Sequence, residues 1–145
     1  MKLFTIGFTR KTAERFFGLL GRSGATRIVD VRLHNMSQLA GFAKRDDLAY
    51  FARSLCTIDY VHLPELAPTP DLLDAYRKRA AGWTAYEHGF IELMRERRIE
   101  HTVPRSLLDG ACLLCSEHAP HHCHRRLIAE YLDRQWGGIR IEHLV

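Results

Sequence analysis

The chain has 145 residues, of which 46% are hydrophobic and 26% charged, and its formal net charge is +4. This composition is typical of a soluble globular domain that buries a core without disulfide bonds, and it excludes extended disorder. No apolar run is long enough to cross a membrane, and the apolar stretch of the N-terminal MKLFTIGF is too short for a signal peptide. We therefore expect one domain over residues 1–145, in the cytoplasm and without membrane association.

Strand and helix patterns alternate along the chain. In chain order the sequence predicts strand Leu3–Ile6, a helix from the capping Thr12 to about Arg22, strand Arg27–Arg32, helix Asp46–Leu55, strand Thr57–Leu63, helices Asp71–Arg79 and Thr84–Arg98, strand Ala111–Cys115, helix Cys123–Gln135 and strand Ile139–Val145. The second helix is expected to be capped by Asp46 and to bury Leu48, Phe51 and Leu55. This alternation favours an α/β fold, a single three-layer domain with a mostly parallel sheet of about five strands and helices on both faces.

Polar side chains follow several predicted strands at the point where each strand ends. Thr9 follows the first strand, Asp30 and Arg32 end the second, and Cys115 and Glu117 end the fourth. Ligands of such sheets bind outside the carboxyl ends of the strands. We therefore expect these side chains to converge on one site at this edge.

Seven soft metal ligands fall in one thirteen-residue segment. They are Cys112, Cys115, His118, His121, His122, Cys123 and His124. The spacing of Cys112 and Cys115 is that of a zinc-binding pair, but three residues apart on a strand their side chains point to opposite faces. We therefore expect Cys112, like Cys56, to be a core thiol.

Arginine dominates the basic residues, with 17 arginines and 4 lysines. The planar guanidinium group suits phosphate and carboxylate ligands. Arg125 and Arg126 lie in the predicted first turn of a helix, where cations oppose the helix dipole unless an anion or a carboxylate lies nearby. They predict either an anion clamp or a structural pairing with Glu117 or Asp30, and Arg32 has the same two interpretations.

Four motifs occur in an order and at spacings that resemble a known family. They are TIGFT from Thr5, IVDVR from Ile28, YVHLPEL from Tyr60 and CLLCSEHAPHHCHRRLIAEYL from Cys112. Together they resemble the domain-of-unknown-function 488 family of small bacterial and archaeal proteins, over about Leu3 to Leu144. The family often has His-Ser where this chain has Phe8-Thr9, and a Gly-containing turn where it has Leu66-Ala67-Pro68. The resemblance implies a fold and a motif (Cys115, Glu117, Cys123, His124 and Arg125), but no reaction.

The residues themselves support a thiol enzyme that acts on a phosphorylated or otherwise anionic substrate, a nucleotide or nucleic acid included. Cys123 is the candidate nucleophile, at a helix start where a thiol pKa is lowered, with His124 as the base and Cys115 as the partner thiol. Asp30 and Glu117 are expected to orient arginines or carry a proton. Arg32, Arg125, Arg126 and Thr9 are the expected anion-binding residues.

The alternative is a metal- or anion-binding module without turnover. Its expected metal ligands are Cys115, Cys123 and His122, since thiolate and imidazole suit zinc. The sequence identifies no cofactor and sets no oligomeric state, and it leaves open whether the protein is an enzyme.

Overall fold

A computed structural model describes residues 1–36, 41–77, 82–117 and 120–145. It contains a five-stranded, fully parallel sheet with the strand order β3-β2-β4-β1-β5. The strands are β1 (Lys2–Gly7), β2 (Arg27–Asp30), β3 (Asp59–His62), β4 (Ala111–Cys115) and β5 (Arg140–Leu144). This architecture confirms the predicted α/β fold and its parallel sheet.

Seven α-helices connect or flank the strands in the described ranges. They are α1 (Ala13–Ser23), α2 (Arg45–Cys56), α3 (Pro70–Arg77), α4 (Trp83–Arg97), α5 (Ile99–Thr102), α6 (Arg105–Leu108) and α7 (His124–Trp136). Thr12 caps α1 as predicted, because its hydroxyl accepts a hydrogen bond from the Arg15 amide. In these same ranges, no helix has both the length and the apolar character needed to span a bilayer.

The sheet separates two apolar layers, and β4 contributes to both by the alternation of its side chains. Leu113 and Cys115 pack in one layer with α4 and α7, whereas Cys112 and Leu114 pack in the other with α1 and α2. We call these the α4–α7 layer and the α1–α2 layer. The two cysteines of the apparent zinc-type pair therefore lie on opposite sides of the sheet, as their spacing predicts.

The helix α2 differs from its prediction at both ends. It begins at Arg45 after Lys44, whose backbone is extended, so Asp46 is not its cap. Asp46 lies instead in the first turn, where its negative charge interacts favourably with the helix dipole. Leu55 is 65% exposed rather than buried. The apolar stripe therefore ends one turn earlier than predicted.

Other boundaries shift by one to three residues. The strand expected at Thr57–Leu63 is only Asp59–His62, because Thr57 ends α2 in a left-handed conformation with φ 56°. The short helices α5 and α6 were not predicted, since four residues carry too little periodicity to be recognised. The last two residues of the predicted helix Asp71–Arg79, and also His118, lie outside the described residues.

Candidate functional site

A cleft of about 540 Å³ opens at the carboxyl ends of the strands. Thr9, Arg32, Cys115 and Glu117, which follow or end β1, β2 and β4, line one part of it. Helices α3 and α4 contribute its aromatic side, with Tyr76, Trp83 and Tyr86. The structure thus brings together polar residues from distant parts of the sequence at the edge where parallel α/β sheets bind ligands.

Cys115 and His124 are in direct contact in this cleft. The Cys115 Sγ lies 3.5 Å from Nδ1 of His124, and Nε2 of the same ring lies 2.7 Å from the Val31 carbonyl oxygen. A carbonyl oxygen only accepts hydrogen bonds, so Nε2 carries a proton and donates a hydrogen bond to this oxygen. The Nδ1 atom is then free to accept the Cys115 proton. Both side chains are buried, although both line the cleft.

The pKa values of the two cleft thiols, Cys115 and Cys123, are shifted in opposite directions. Burial alone raises the pKa of Cys115, but a hydrogen bond with Cys123 and the charge of His124 outweigh it and bring the pKa well below its usual value. Burial and the adjacent Cys115 raise the pKa of Cys123. Burial lowers the pKa of His124, but Cys115 raises it overall. These directions describe a Cys115 thiolate paired with a His124 imidazolium, and a neutral Cys123 thiol beside them.

The sequence-based assignment made Cys123 the nucleophile and Cys115 its partner. The contact with Nδ1 of His124 and the directions of the pKa shifts favour the opposite order. Cys123 immediately precedes α7, but its side chain is buried and faces a neighbouring thiolate. A negative neighbour opposes a second thiolate more strongly than the helix start favours it.

Arg32 is held by a buried carboxylate and keeps one unused donor. Its Nε and Nη2 atoms lie 2.9 and 2.8 Å from the two oxygens of Asp30, and Tyr60 donates a further hydrogen bond to Asp30 at 2.5 Å. His62 fixes the Arg32 backbone by donating to its carbonyl oxygen. Arg32 is only 3% exposed, and its buried Nη1 atom has no hydrogen-bond partner. Arg32 is also one of the residues that line the cleft.

Arg125, by contrast, is fully buried and serves the fold. Its Nη1 atom donates to the Glu117 carbonyl at 2.7 Å and its Nε atom to the Thr5 hydroxyl at 3.3 Å, so it ties the segment after β4 to β1. Gly7 leaves the space for this contact, because a Cβ there would lie 1.5 Å from the Glu117 oxygen. Of the two interpretations of Arg125, the geometry favours the structural one.

The remaining predicted anion-binding residues are also engaged with the protein. Arg126 forms a salt bridge with Glu130 on the next turn of α7 and lies 3.7 Å from Glu87 of α4. The Thr9 hydroxyl donates to the Ser116 carbonyl at the rim of the cleft. The Glu117 side chain is exposed at that rim. Arg32 is therefore the predicted anion-binding residue that the structure places best for a ligand.

One group of side chains in the described ranges has the arrangement of a metal centre. The Sγ atoms of Cys115 and Cys123 and a ring nitrogen of His124 all lie within 4.8 Å of one another. The prediction named His122 as the histidine ligand, which is not in this group. His122 is exposed, and its ring stacks on Trp83 at 4.9 Å. The histidine that faces the thiols is its near neighbour His124, at the first position of α7.

Two tyrosines belong to the site although the sequence did not identify them as site residues. Tyr60 on β3 supports Asp30, and burial together with Asp30 raises its pKa, so it remains a donor. Tyr86 on α4 lines the cleft beside both thiols. Burial and then the charge of Cys115 raise its pKa. Their roles depend on contacts between separate elements, which neither the YVHLPEL motif at Tyr60 nor the helix pattern around Tyr86 indicates.

Comparisons with known proteins identify the family. A family model described as domain of unknown function DUF488 matches residues 12–132. The chain therefore belongs to this family, as its motifs predict. Among the curated proteins and the solved structures, none matches the chain.

Proposed function

We propose that this member of the DUF488 family is an enzyme that uses the Cys115 thiolate as a nucleophile on a small anionic substrate. The observation that carries the proposal is the contact between Cys115 and His124, which both line a cleft. A thiolate is the nucleophilic form of cysteine, and an adjacent imidazolium is a common means of stabilising it. The site therefore has an activated nucleophile that is accessible through the cleft.

Arg32 binds the anionic group of the substrate in this proposal. Arg32 lines the cleft and its buried Nη1 donor has no hydrogen-bond partner, while Asp30, supported by Tyr60, holds the rest of the guanidinium group. Such a fixed donor is well suited to phosphate or carboxylate oxygens, since little conformational entropy is lost on binding. Glu117 at the rim is the exposed carboxylate through which a proton can pass to solvent. A cleft of about 540 Å³ fits a small molecule or a single nucleotide better than a nucleic-acid duplex.

The reducing cytoplasm is the compartment that this chemistry requires. The four cysteines of the described residues are all free, and two of them are adjacent in the cleft. A reducing environment keeps such a pair available as thiols.

The proposal is tested by alkylating the protein with anionic iodoacetate and with neutral iodoacetamide and measuring both rates at Cys115 by peptide mass spectrometry. Ordinary thiols react more slowly with the anionic reagent. We expect Cys115 to reverse this preference, by about tenfold relative to Cys56, because one charge-assisted hydrogen bond to Arg32 contributes about 1.5 kcal/mol. Inorganic phosphate should slow both reactions at Cys115.

Arg32→Met should abolish the preference for iodoacetate, and Arg77→Met is the matched control. Arg77 is exposed and lines the same cleft, so its loss changes the general charge of the cleft but not the fixed donor. The proposal is wrong if neither reagent modifies Cys115, or if the two variants have the same effect on the preference.

A second candidate function is a metal-binding module, favoured by the clustering of Cys115, Cys123 and His124. Two thiolates and an imidazole suit zinc, and three protein ligands leave a coordination position open. The test is zinc content by elemental analysis after purification and after zinc titration. His124→Ala should abolish stoichiometric binding, whereas His122→Ala, the matched control in the neighbouring position, should not. Equal zinc content in both variants would exclude this site.

A further inference from the structure

The thiol of Cys123 is not used by a simple nucleophilic mechanism, although it lies in the same cleft as Cys115. The two sulfur atoms come from different elements, the end of β4 and the residue before α7, and lie within 4.8 Å of each other. Both are nearly inaccessible except through the cleft, with 5% and 2% exposure. A disulfide bond has an S–S length of about 2.05 Å, so the two sulfur atoms must move closer together for one to form.

We propose that Cys115 and Cys123 act together as a dithiol that reduces small disulfides bearing carboxylate groups, with Cys115 as the attacking thiol and Cys123 as the resolving thiol. This inference rests on the proposed function, because it uses the same nucleophile and the same Arg32 donor. It assigns a reaction class and gives Cys123 a chemical role.

The first step is attack of the Cys115 thiolate on one sulfur of the substrate disulfide. The bond between Cys115 Sγ and that sulfur forms, the substrate S–S bond breaks, and the other half leaves as a thiolate that takes the proton from Nδ1 of His124. The attack is favoured by the position of His124, whose Nε2 is held by the Val31 carbonyl while Nδ1 faces Cys115.

The second step is attack of Cys123 on Cys115 Sγ in the mixed disulfide. The Cys123 proton passes to the second half of the substrate, which leaves as a thiol as the Cys115–Cys123 disulfide forms. The pair loses two electrons and the substrate gains them, so one disulfide is exchanged for another and two substrate thiols are released. A small thiol in excess returns the pair to its reduced state by the reverse chemistry.

The substrate class follows from the cleft. Its volume of about 540 Å³ fits a low-molecular-weight disulfide. The unpartnered Nη1 of Arg32 suits a carboxylate. Both thiols line the cleft and are buried, so the disulfide bond of such a molecule has to enter the cleft to reach them.

The test uses dithiobis(nitrobenzoate), an anionic disulfide whose released thiol is coloured. All variants carry Cys56→Ser, because Cys56 is a half-buried thiol on the other side of the sheet that would add its own signal. With the Cys56→Ser protein we expect about two equivalents of released thiol per chain and a Cys115–Cys123 disulfide in the peptide map. Adding Cys123→Ser or Cys123→Ala should reduce the release to about one equivalent and leave a stable adduct on Cys115.

The anionic preference is measured by comparison with neutral hydroxyethyl disulfide. We expect the anionic reagent to react with Cys115 about tenfold faster, after correction by a free model thiol, and Arg32→Met to remove the difference. In the experiment on released thiol, the Ser and Ala variants of Cys123 are compared, so that an effect of either substitution on the packing of the α4–α7 layer is not mistaken for loss of the resolving thiol.

The outcomes separate the two proposals. If the protein with both thiols keeps the adduct on Cys115 just as the Cys123 variants do, the dithiol inference is wrong and the proposed nucleophile stands. If the neutral disulfide reacts as fast as the anionic one, the substrate class is wrong. If Cys115 is modified neither by disulfides nor by haloacetates, both proposals fail.

Discussion

Cys112 and Cys115 lie three residues apart on one strand, yet the two sides of the sheet give them different chemistry. Cys112 is enclosed in the α1–α2 layer, where burial raises its pKa. Cys115 is just as enclosed by its own layer, but it contacts Cys123, just before α7, and His124, at the start of α7, and these two side chains lower its pKa. Burial penalises the charge of both thiols, so partners, not exposure, make the difference.

The same contrast applies to the two layers as a whole. The α1–α2 layer is formed by apolar side chains such as Phe16, Phe17 and Leu48, with an apolar groove of about 490 Å³ on its outer side. The α4–α7 layer ends at the carboxyl edge in the two thiols of Cys115 and Cys123, beside the imidazole of His124. A layer therefore becomes a candidate site where buried polar groups from several elements meet.

The largest effect is expected when removal of the Cys115 thiol is compared with removal of the Cys112 thiol on the other side of the sheet. Cys115→Ser should abolish fast alkylation by iodoacetamide near neutral pH, because the activated thiolate is gone. Cys112→Ser should leave the rate at Cys115 unchanged within about twofold, since the two thiols belong to different layers. Rates by peptide mass spectrometry, with circular dichroism to confirm folding, decide the matter. Rapid alkylation that persists in the Cys115 variant would contradict the contrast.

Next in size is the effect of adding one methyl group on each side. Gly7→Ala should destabilise the protein by about 4 kcal/mol or prevent folding, because the new Cβ would overlap the Glu117 backbone that Arg125 holds. Gly21→Ala in α1 should stabilise it by about 0.5 kcal/mol, since alanine is the better helix former and the nearest atom, Cys56 Sγ, is 3.6 Å away. Urea unfolding measures both. Similar unfolding free energies for the two variants would show that the β1 contact is not tightly packed.

The pH dependence of alkylation should differ between Cys115 and Cys56. The pKa of Cys115 is well below the usual value, so its thiolate persists at a lower pH than an ordinary thiolate, and its rate should fall less steeply as the pH is lowered. Burial raises the pKa of Cys56, so its rate should fall about tenfold for each pH unit. Parallel profiles for the two thiols would contradict the proposed thiolate–imidazolium pair.

The smallest expected effect concerns two tyrosine–carboxylate hydrogen bonds. Tyr60→Phe removes the hydrogen bond to Asp30, and Tyr131→Phe removes the one to Glu100. Each substitution should lower the free energy of unfolding by about 1 to 2 kcal/mol. Only Tyr60→Phe should weaken the preference of Cys115 for iodoacetate, because only Tyr60 supports the Asp30–Arg32 pair. Unfolding free energies and alkylation rates are measured together. An equal change of preference in both variants would mean that Tyr60 acts through stability alone.

Much of the fold could be predicted because its signals are local. The β-branched run Arg27–Arg32, the capping Thr12 and the periodic helix after Cys123 marked their elements, and the strand alternation separated Cys112 from Cys115. Boundaries such as that of α2 were less predictable, since several adjacent residues can begin a helix at similar cost. The short helices α5 and α6 left no periodic pattern.

The candidate site was predictable in part of its membership, without Tyr60 and Tyr86, but not in the roles of its members. Cys115, Cys123, His124, Arg32 and Asp30 were identified from strand ends and a motif. Which thiol faces the imidazole, which histidine joins the thiols and which arginine keeps an open donor depend on distances between β2, β4 and α7.

The sequence alone therefore determined the family, the parallel α/β fold and the segment in which reactive groups concentrate, because periodicity and motifs are properties of neighbouring residues. Only the tertiary structure decided that Arg125 is a buried support, that Arg32 faces the cleft and that Cys115 has the lowered pKa. The physical reason is that hydrogen bonding and the stabilisation of buried charge act over a few ångströms between residues as distant in sequence as Val31 and His124.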